Sequence, residues 1–429
     1  MSLLPLVAET SGIFAYTDQA DRVHLSVAEP YLTPKDLEKM AHTFTIEAHL
    51  PEDHAQATLV GRIWQPGVGP VLVKVDADGV YDLSSIAATS SQLLELDDPA
   101  AVVKAANAPR LAELQDLLDN ADAARRDTSR PWLLAPIDLQ AVKASGVTFV
   151  ASMLERVIEE QARGDAGRAE AVRQAITAVI GDNLSSVVPG SPEAAKLKEV
   201  LLQQGVWSQY LEVGIGPDAE IFTKAQPLSS VGLGDEVGIH PKSVWNNPEP
   251  EIVLAINSRG KVVGAALGND VNLRDFEGRS ALLLGKAKDN NASCSVGPFI
   301  RLFDAKFSID DVRRAELTMR VDGTEGFTLK GSSSMSMISR DPLQLVEHAI
   351  GPNHQYPDGL VLFLGTMFAP TQDRFGPGQG FTHQVADIVT IATPRLGALV
   401  NTVNFSDKTA PWTFGLAALF KNLAQRKLI

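Results

Sequence analysis

Glu249, Glu251 and Asp270 stand at the ends of two apolar runs in NNPEPEIVLAINSRGKVVGAALGNDVNLRDFEGR, residues 246–279. EIVLAIN and KVVGAALG flank Arg259-Gly260, which is the pattern of a β-hairpin. A symmetric turn there sets Ser258 against Lys261 and Ile256 against Val263. Carried outward, the same register places Glu249 opposite Asp270, with Glu251 two residues along on the same face. Opposed residues hold their Cβ atoms roughly 5 Å apart and diagonal neighbours about 7 Å apart, so three carboxylates at this spacing repel. A bound divalent cation reverses the sign of that energy. All-oxygen ligands suit Mg²⁺, Mn²⁺ or Ca²⁺ over a thiolate-loving metal, and three of them leave coordination positions open for a substrate. The competing reading is the solvated end of an edge hairpin.

The elements that must position these residues lie in a chain of 429 residues, long enough for two domains. A formal net charge of −14 without a long Lys/Arg run is the wrong field for a phosphate backbone, so no nucleic-acid partner is expected. Cys294 is the only cysteine, which excludes an internal disulfide and a cysteine zinc cluster. MSLLPLVAETSG lacks a basic segment followed by a long apolar stretch, and no apolar run approaches the ~18 residues of a membrane span. A cytoplasmic protein with no membrane partner is expected.

LVGRIWQPG, GPVLVKVDADG and VYDLS, between 59 and 84, read as short strands with Gly turns. PRLAELQDLLDNADAARR, 109–126, reads as a helix, and TSRPWLLAPIDLQ as a linker into a strand. A boundary near 135 separates an N-terminal α+β domain, 1–135, from residues 136–429. Residues 150–204 are the most helical stretch. SPEAAKLKEVLLQQG has Ser191 as N-cap, Pro192 at the first helical position and Gly205 past the end. Short strands with Gly/Pro turns dominate beyond about 210, with one more helix at DPLQLVEHAIG. The RFGPGQGF loop, 374–381, has no following helix to cradle a phosphate, and His348, His354 and His383 are scattered.

Glu249-x-Glu251, then GNDVNLRD at 268–275, a Lys-containing LGKAKDNNASCSVGPFI at 284–300, YPDGLVLFLGT and TPRLGALVNTVN follow one another in an order that resembles the fumarylacetoacetate hydrolase superfamily. The resemblance covers roughly the C-terminal two-thirds of the chain. It implies an α+β fold: a mixed β-roll, with 150–204 as a helical insertion and plausibly a lid. It also implies a homodimer or homotetramer, and Mg²⁺ (or Mn²⁺) held by Glu249, Glu251 and Asp270, with Asp275 structural. The family's active-site lysine aligns with Lys288, in Ala287-Lys288 through Ala292-Ser293-Cys294. Lys286 competes, because on a strand both would face one way. Cys294 reads as a small buried residue. Thr366 resembles a substrate-binding hydroxyl, and a plain turn threonine fits as well.

GVTFVASMLER, 146–156, matches a segment whose His and Glu act on water in the C–C hydrolases of this superfamily. Glu155 matches the Glu, but Ser152 stands where the His belongs, and no histidine occurs between His54 and His240. A hydroxyl without a nearby base activates water poorly. Glu220, on one strand face with Phe222 and Lys224, resembles instead the branch that dehydrates 2-keto-3-deoxy sugar acids. That branch implies Lys288, Glu220 and Glu155 as catalytic residues, and Ser152, Arg156 and Thr366 around the substrate. The alternatives are hydrolysis or decarboxylation of acylpyruvates and 2-oxo acids, and a non-catalytic module cemented by a cation.

Overall fold

A computed structural model describes residues 13–17, 23–27, 42–77, 79–180, 187–203, 205 and 207–429. The chain divides into two units, residues 1–42 and 43–429. The first contains an antiparallel pair, Ile13–Thr17 with Val23–Val27. Most of residues 1–55, which carried no assignment from sequence, therefore lies outside the described residues.

The second unit is α+β and is built on an eleven-stranded sheet. From one edge its strands are Arg110–Glu113, Gly79–Asp82, Gly69–Val75, Leu59–Gln65, Cys294–Leu302, Val262–Asp270, Pro250–Ile256, Leu360–Phe363, Ala141–Ser145 and Ile221–Ala225, with Trp132–Leu134 paired on Leu59–Gln65. The sheet thus runs without interruption across the boundary expected near residue 135. Leu360–Phe363 pairs with Ala141–Ser145 in parallel, and its other neighbour is antiparallel. A second sheet of five strands orders Glu236–Ile239, Gly397–Phe405, Ile388–Thr393, Glu316–Asp322 and Thr328–Ser334.

The strand alternation sorts side chains into two cores. Ile252, Leu254, Ala265 and Leu267 pack with Leu317, Met319, Val389 and Leu399 of the second sheet. Val253, Ala255, Ala266 and Phe363 point the other way, toward Leu93, Leu94 and Val103 of two helices, Ser90–Leu94 and Pro99–Ala105. By parity, Glu251, Gly268 and Asp270 continue this second face.

Among the described residues the expected helical stretch is three helices, Val150–Gln161, Ala166–Ile180 and Pro192–Gln203, and a fourth, Gln209–Ile215, follows it. They share a small core of Met153, Val157, Ala169, Leu201 and Leu211 with Trp245. Ser191 caps as expected, its Oγ accepting from the Ala194 amide at 3.1 Å. Asp341 caps Pro342–Ala349 reciprocally with Gln344. The helix expected over 109–126 is a correction. Arg110–Glu113 is an edge strand paired with Gly79–Asp82, and only Leu114–Asp119 is helical. Cross-strand hydrogen bonding claims the first turn that periodicity alone assigns to a helix.

Candidate active site

The site hairpin is the pair Pro250–Ile256 and Val262–Asp270. Its register is the expected one from Pro250↔Asn269 to Ala255↔Gly264. The Asp270 amide donates to the Glu249 carbonyl at 3.0 Å, which carries the pairing out to the two acids. Near the turn the register slips, and Ile256 faces Val262 rather than Val263. The bulge is confined to the turn end, so it leaves the carboxylate end unchanged.

Glu249, Glu251 and Asp270 are each 1 % exposed. One oxygen from each lies within 4.8 Å of the others. These are buried groups, which removes the solvated-edge reading. The donor set is all oxygen and the charges are concentrated, so the three fit a hard divalent cation.

Three cations meet this cluster from elsewhere. Lys288 Nζ lies 2.6 Å from Glu249 and 3.1 Å from Asp270. Lys224 Nζ lies 2.9 Å from Asp270 Oδ1 and donates to the carbonyls of Val271 and Lys288. Arg156 donates to Glu249 through Nη2 and to Glu159 through Nη1 at 2.7 Å. Burial opposes the charge on Glu249, but Arg156 and then Lys288 outweigh it and hold that carboxyl down at about 2. Glu251 has no such cation. Burial, then the charges of Asp270 and Glu249, push it well above the usual carboxylate range. It accepts from the Gly365 amide at 2.7 Å and from Thr366 Oγ1 at 3.3 Å. Gly365 has φ +100°, and a Cβ there would meet Thr148 Oγ1 at 2.0 Å, so only glycine presents this amide.

Lys288 is 2 % exposed, at the end of a short helix, Leu284–Lys288. The expected strand is a correction. On a helix Lys286 and Lys288 diverge, and Lys286 is exposed beside the Phe276 ring. Burial disfavours the Lys288 ammonium, but Asp270 and Glu249 outweigh it and raise its pKa. The two carboxylates thus favour the charged form of Lys288.

Ser152, Arg156, Glu220, Glu277, Lys288 and Thr366 line one small pocket with Glu249 and Asp270. Glu220 enters from the start of the strand Ile221–Ala225, over Gly146, where a Cβ would sit 1.7 Å from its Oε2. Burial first, and then the charge of Glu277, push Glu220 up to about 7. Ser152 donates to the Phe149 carbonyl at 2.9 Å. Glu155 is not brought to the pocket. Arg173 of the next helix binds both its oxygens, at 2.8 and 3.1 Å. Glu277, unforeseen from sequence, takes its place. Asp275 is structural as expected, accepting from Ser243 Oγ at 2.7 Å and the Val244 amide at 3.0 Å. Cys294 is buried and free, its thiol pushed up to about 12 mainly by burial.

Comparison with known proteins gives a consistent set. Residues 211–404 match the sequence profile described as fumarylacetoacetate (FAA) hydrolase C-terminal. The "Probable 2-keto-3-deoxyxylonate dehydratase" of Haloferax volcanii is 27 % identical over 326 residues, 75 % of this chain and 91 % of that protein. The "2-dehydro-3-deoxy-D-arabinonate dehydratase" of Saccharolobus solfataricus is 30 % identical over 184 residues, 43 % of this chain and 58 % of that protein. The apo form of 2-keto-3-deoxy-D-arabinonate dehydratase superposes with a TM-score of 0.55 at 21 % identity, covering 81 % of this chain and 99 % of that one. Its complex with magnesium and 2,5-dioxopentanoate gives 0.54 at 20 %, over 81 % and 99 %. The superpositions establish a shared fold.

Proposed function

We propose that this protein, whose residues 211–404 match the fumarylacetoacetate (FAA) hydrolase C-terminal profile, is a Mg²⁺-dependent dehydratase of a 2-keto-3-deoxypentonate, forming 2,5-dioxopentanoate. The observation that carries the reading is the pocket itself. Glu249 and Asp270 of the buried carboxylate triad, the Lys288 ammonium and a Glu220 carboxyl pushed up to about 7 converge there, with no histidine among its lining residues. The dehydratase names of two curated relatives support the same reading.

Glu249, Glu251 and Asp270 are the residues that hold the cation; Mn²⁺ suits the same oxygens. When bound, the cation supplies Lewis acidity toward the 2-keto group and so acidifies the C3 protons. It also corrects the local charge. With Glu251 ionised and Glu220 protonated, Glu159, Glu249, Glu251, Asp270 and Glu277 outnumber Arg156, Lys224, Arg274 and Lys288 by one. A divalent ion inverts that balance in favour of an anionic 2-oxo acid.

Lys288 faces the negative charge that develops on the substrate as the C3 proton leaves. Its permanent charge makes it an electrostatic stabiliser. Glu220, near neutrality, exchanges a proton at the reacting carbons. Thr366 and Ser152 offer hydroxyls to the substrate, and Arg156 fixes Glu249. Hydrolysis needs an activated water. The pocket offers no His–Glu pair for one, because Glu155 is turned to Arg173.

A substrate panel tests the function. Both C4 epimers of 2-keto-3-deoxypentonate, an acylpyruvate and oxaloacetate are assayed with Mg²⁺ and with EDTA. Metal-dependent 2,5-dioxopentanoate formation should dominate. Faster release of pyruvate from the acylpyruvate or oxaloacetate would replace dehydration with hydrolysis or decarboxylation. Unchanged turnover in EDTA would remove the metal from the mechanism.

A further inference from the structure

We infer that Glu277 is the general base that takes the C3 proton, with Glu220 as the acid at the leaving C4 hydroxyl. The inference rests on the dehydratase reading. It adds a residue to that reading and allots the two proton-transfer roles.

Glu277 ends the four-residue helix Arg274–Glu277, seven positions beyond the ligand Asp270. It is 4 % exposed and lines the same pocket as Glu220, Lys288, Glu249 and Asp270. Its Oε2 is buried and makes no hydrogen bond among the described residues. The Arg156 Nη1 lies 3.6 Å away, but that guanidinium is committed to Glu159 at 2.7 Å and to Glu249. A buried carboxylate oxygen left without a hydrogen-bond donor needs an explanation. A base awaiting a C–H proton supplies it.

The other candidates are spent. Glu159 is fully buried between Arg156 at 2.7 Å and Arg274 at 2.8 Å. Glu155 is bound by Arg173. Lys288 Nζ is hydrogen-bonded to Glu249 at 2.6 Å and to Asp270 at 3.1 Å. Tyr210 keeps its proton, through burial first and then the charge of Glu277. Glu220 and Glu277 remain, and their surroundings differ. Arg156 Nη1 stands 3.6 Å from Glu277 Oε2. Glu220, by contrast, is pushed up to about 7 and so holds a proton for much of the time at neutral pH. Two carboxyls whose environments separate them make an acid and a base.

The proton accounting closes. The C3–H bond breaks, its proton goes to Glu277, and its electron pair enters the enolate. Collapse of the enolate forms C3=C4 and expels the C4 hydroxyl, which takes the Glu220 proton and leaves as water. Glu220 then takes a proton from C5 and Glu277 returns one to C3. Both carboxyls recover their starting states, and the resulting enol tautomerises in water to the 5-aldehyde.

Hydrogen exchange at C3 separates the roles. Wild-type protein, Glu277→Gln, Glu277→Asp and Glu220→Gln are incubated with Mg²⁺ in D₂O, and C3 deuteration is followed by NMR alongside 2,5-dioxopentanoate formation. Glu277→Gln should lose both exchange and dehydration by about 100-fold or more, with Glu277→Asp recovering part of each. Glu220→Gln should keep exchange and lose dehydration. Mg²⁺ titration calorimetry should show unchanged affinity in all four. A Glu277→Gln protein that exchanges C3 protons within about 3-fold of wild type overturns the inference. Should that variant fail to fold, Glu277→Asp with wild-type exchange and turnover overturns it equally. A parallel arm uses 2-oxobutanoate, which has acidic C3 protons but no C4 hydroxyl. Glu277-dependent exchange there upholds the base even if no pentonate is dehydrated, a result that overturns only the dehydratase reading. Absence of wild-type exchange on both compounds overturns the base assignment.

Discussion

Glu249 and Glu251 are two residues apart on one strand, yet their carboxyls are driven in opposite directions, because Arg156 and Lys288 both serve Glu249. A metal ion, under the proposed reading, would supply Glu251 with the close positive charge that Arg156 and Lys288 give Glu249. Glu249→Ala and Asp270→Ala should each abolish Mg²⁺ binding by calorimetry and reduce turnover by at least about 100-fold while far-UV circular dichroism is unchanged, as each removes one oxygen of the triad. Full metal-dependent turnover in either would remove the ligand assignment. The charges facing Glu220 are Glu277, Arg156, Lys288 and Glu249. If Glu220 is the acid, kcat/KM should fall as pH rises past the Glu220 pKa. That limb should lie no higher than about 7, since an added cation favours the carboxylate form, and it should vanish in Glu220→Gln. A rate that climbs through the same range would make Glu220 the base. The triad was legible in the sequence because strand geometry sets neighbours two residues apart. Glu155 was misread because the buried face of its helix is Ser152, Arg156 and Glu159, a phase that periodicity leaves undecided. Glu277 was missed because RDFEGR carries no mark of where a four-residue helix turns its last side chain.

Elements set what those residues can reach. The hairpin register was legible wherever alternating apolar residues fix it, and it failed at the turn, where a bulge absorbs one residue. The lysine segment was misread as a strand because five residues, LGKAK, carry too few turns for periodicity to decide. The helix ranks the two lysines clearly. Lys288→Ala should lower kcat by about 100-fold or more, and Lys286→Ala by less than about 3-fold, in steady-state assays; the reverse order would move the role to Lys286. The strand Ala141–Ser145 leads into Gly146, whose missing side chain is the space Glu220 occupies. Gly146→Ala should displace that carboxylate, which is the far end of a flexible chain. Turnover should drop sharply with Mg²⁺ affinity and thermal stability near wild type. Equal losses of stability and turnover would mean that the backbone, and not Glu220, had moved.

At the scale of the molecule, one eleven-stranded sheet joins strands from both sides of residue 135. Composition cannot show this, because pairing between Leu59–Gln65 and Cys294–Leu302 leaves no local trace. No helix among the described residues is long and apolar enough to cross a membrane. Since the ion binds only the assembled triad, Mg²⁺ at about 100 times its Kd should stabilise the protein by ~2.7 kcal/mol, seen as a rise of a few degrees in Tm that EDTA reverses. An unchanged Tm would mean that the triad holds no ion. Light scattering after size exclusion checks the expected homodimer or homotetramer. The parallel pairing of Leu360–Phe363 with Ala141–Ser145 has a consequence for biosynthesis. The strand that closes the sheet beside Glu220 finds its partner only after more than two hundred further residues are made. Gly365 and Thr366, which cradle Glu251, follow directly behind it. A ribosome-bound chain that stops short of them has its acids but no finished cage, so a metal site built on these acids would be complete only late, once this long loop has closed.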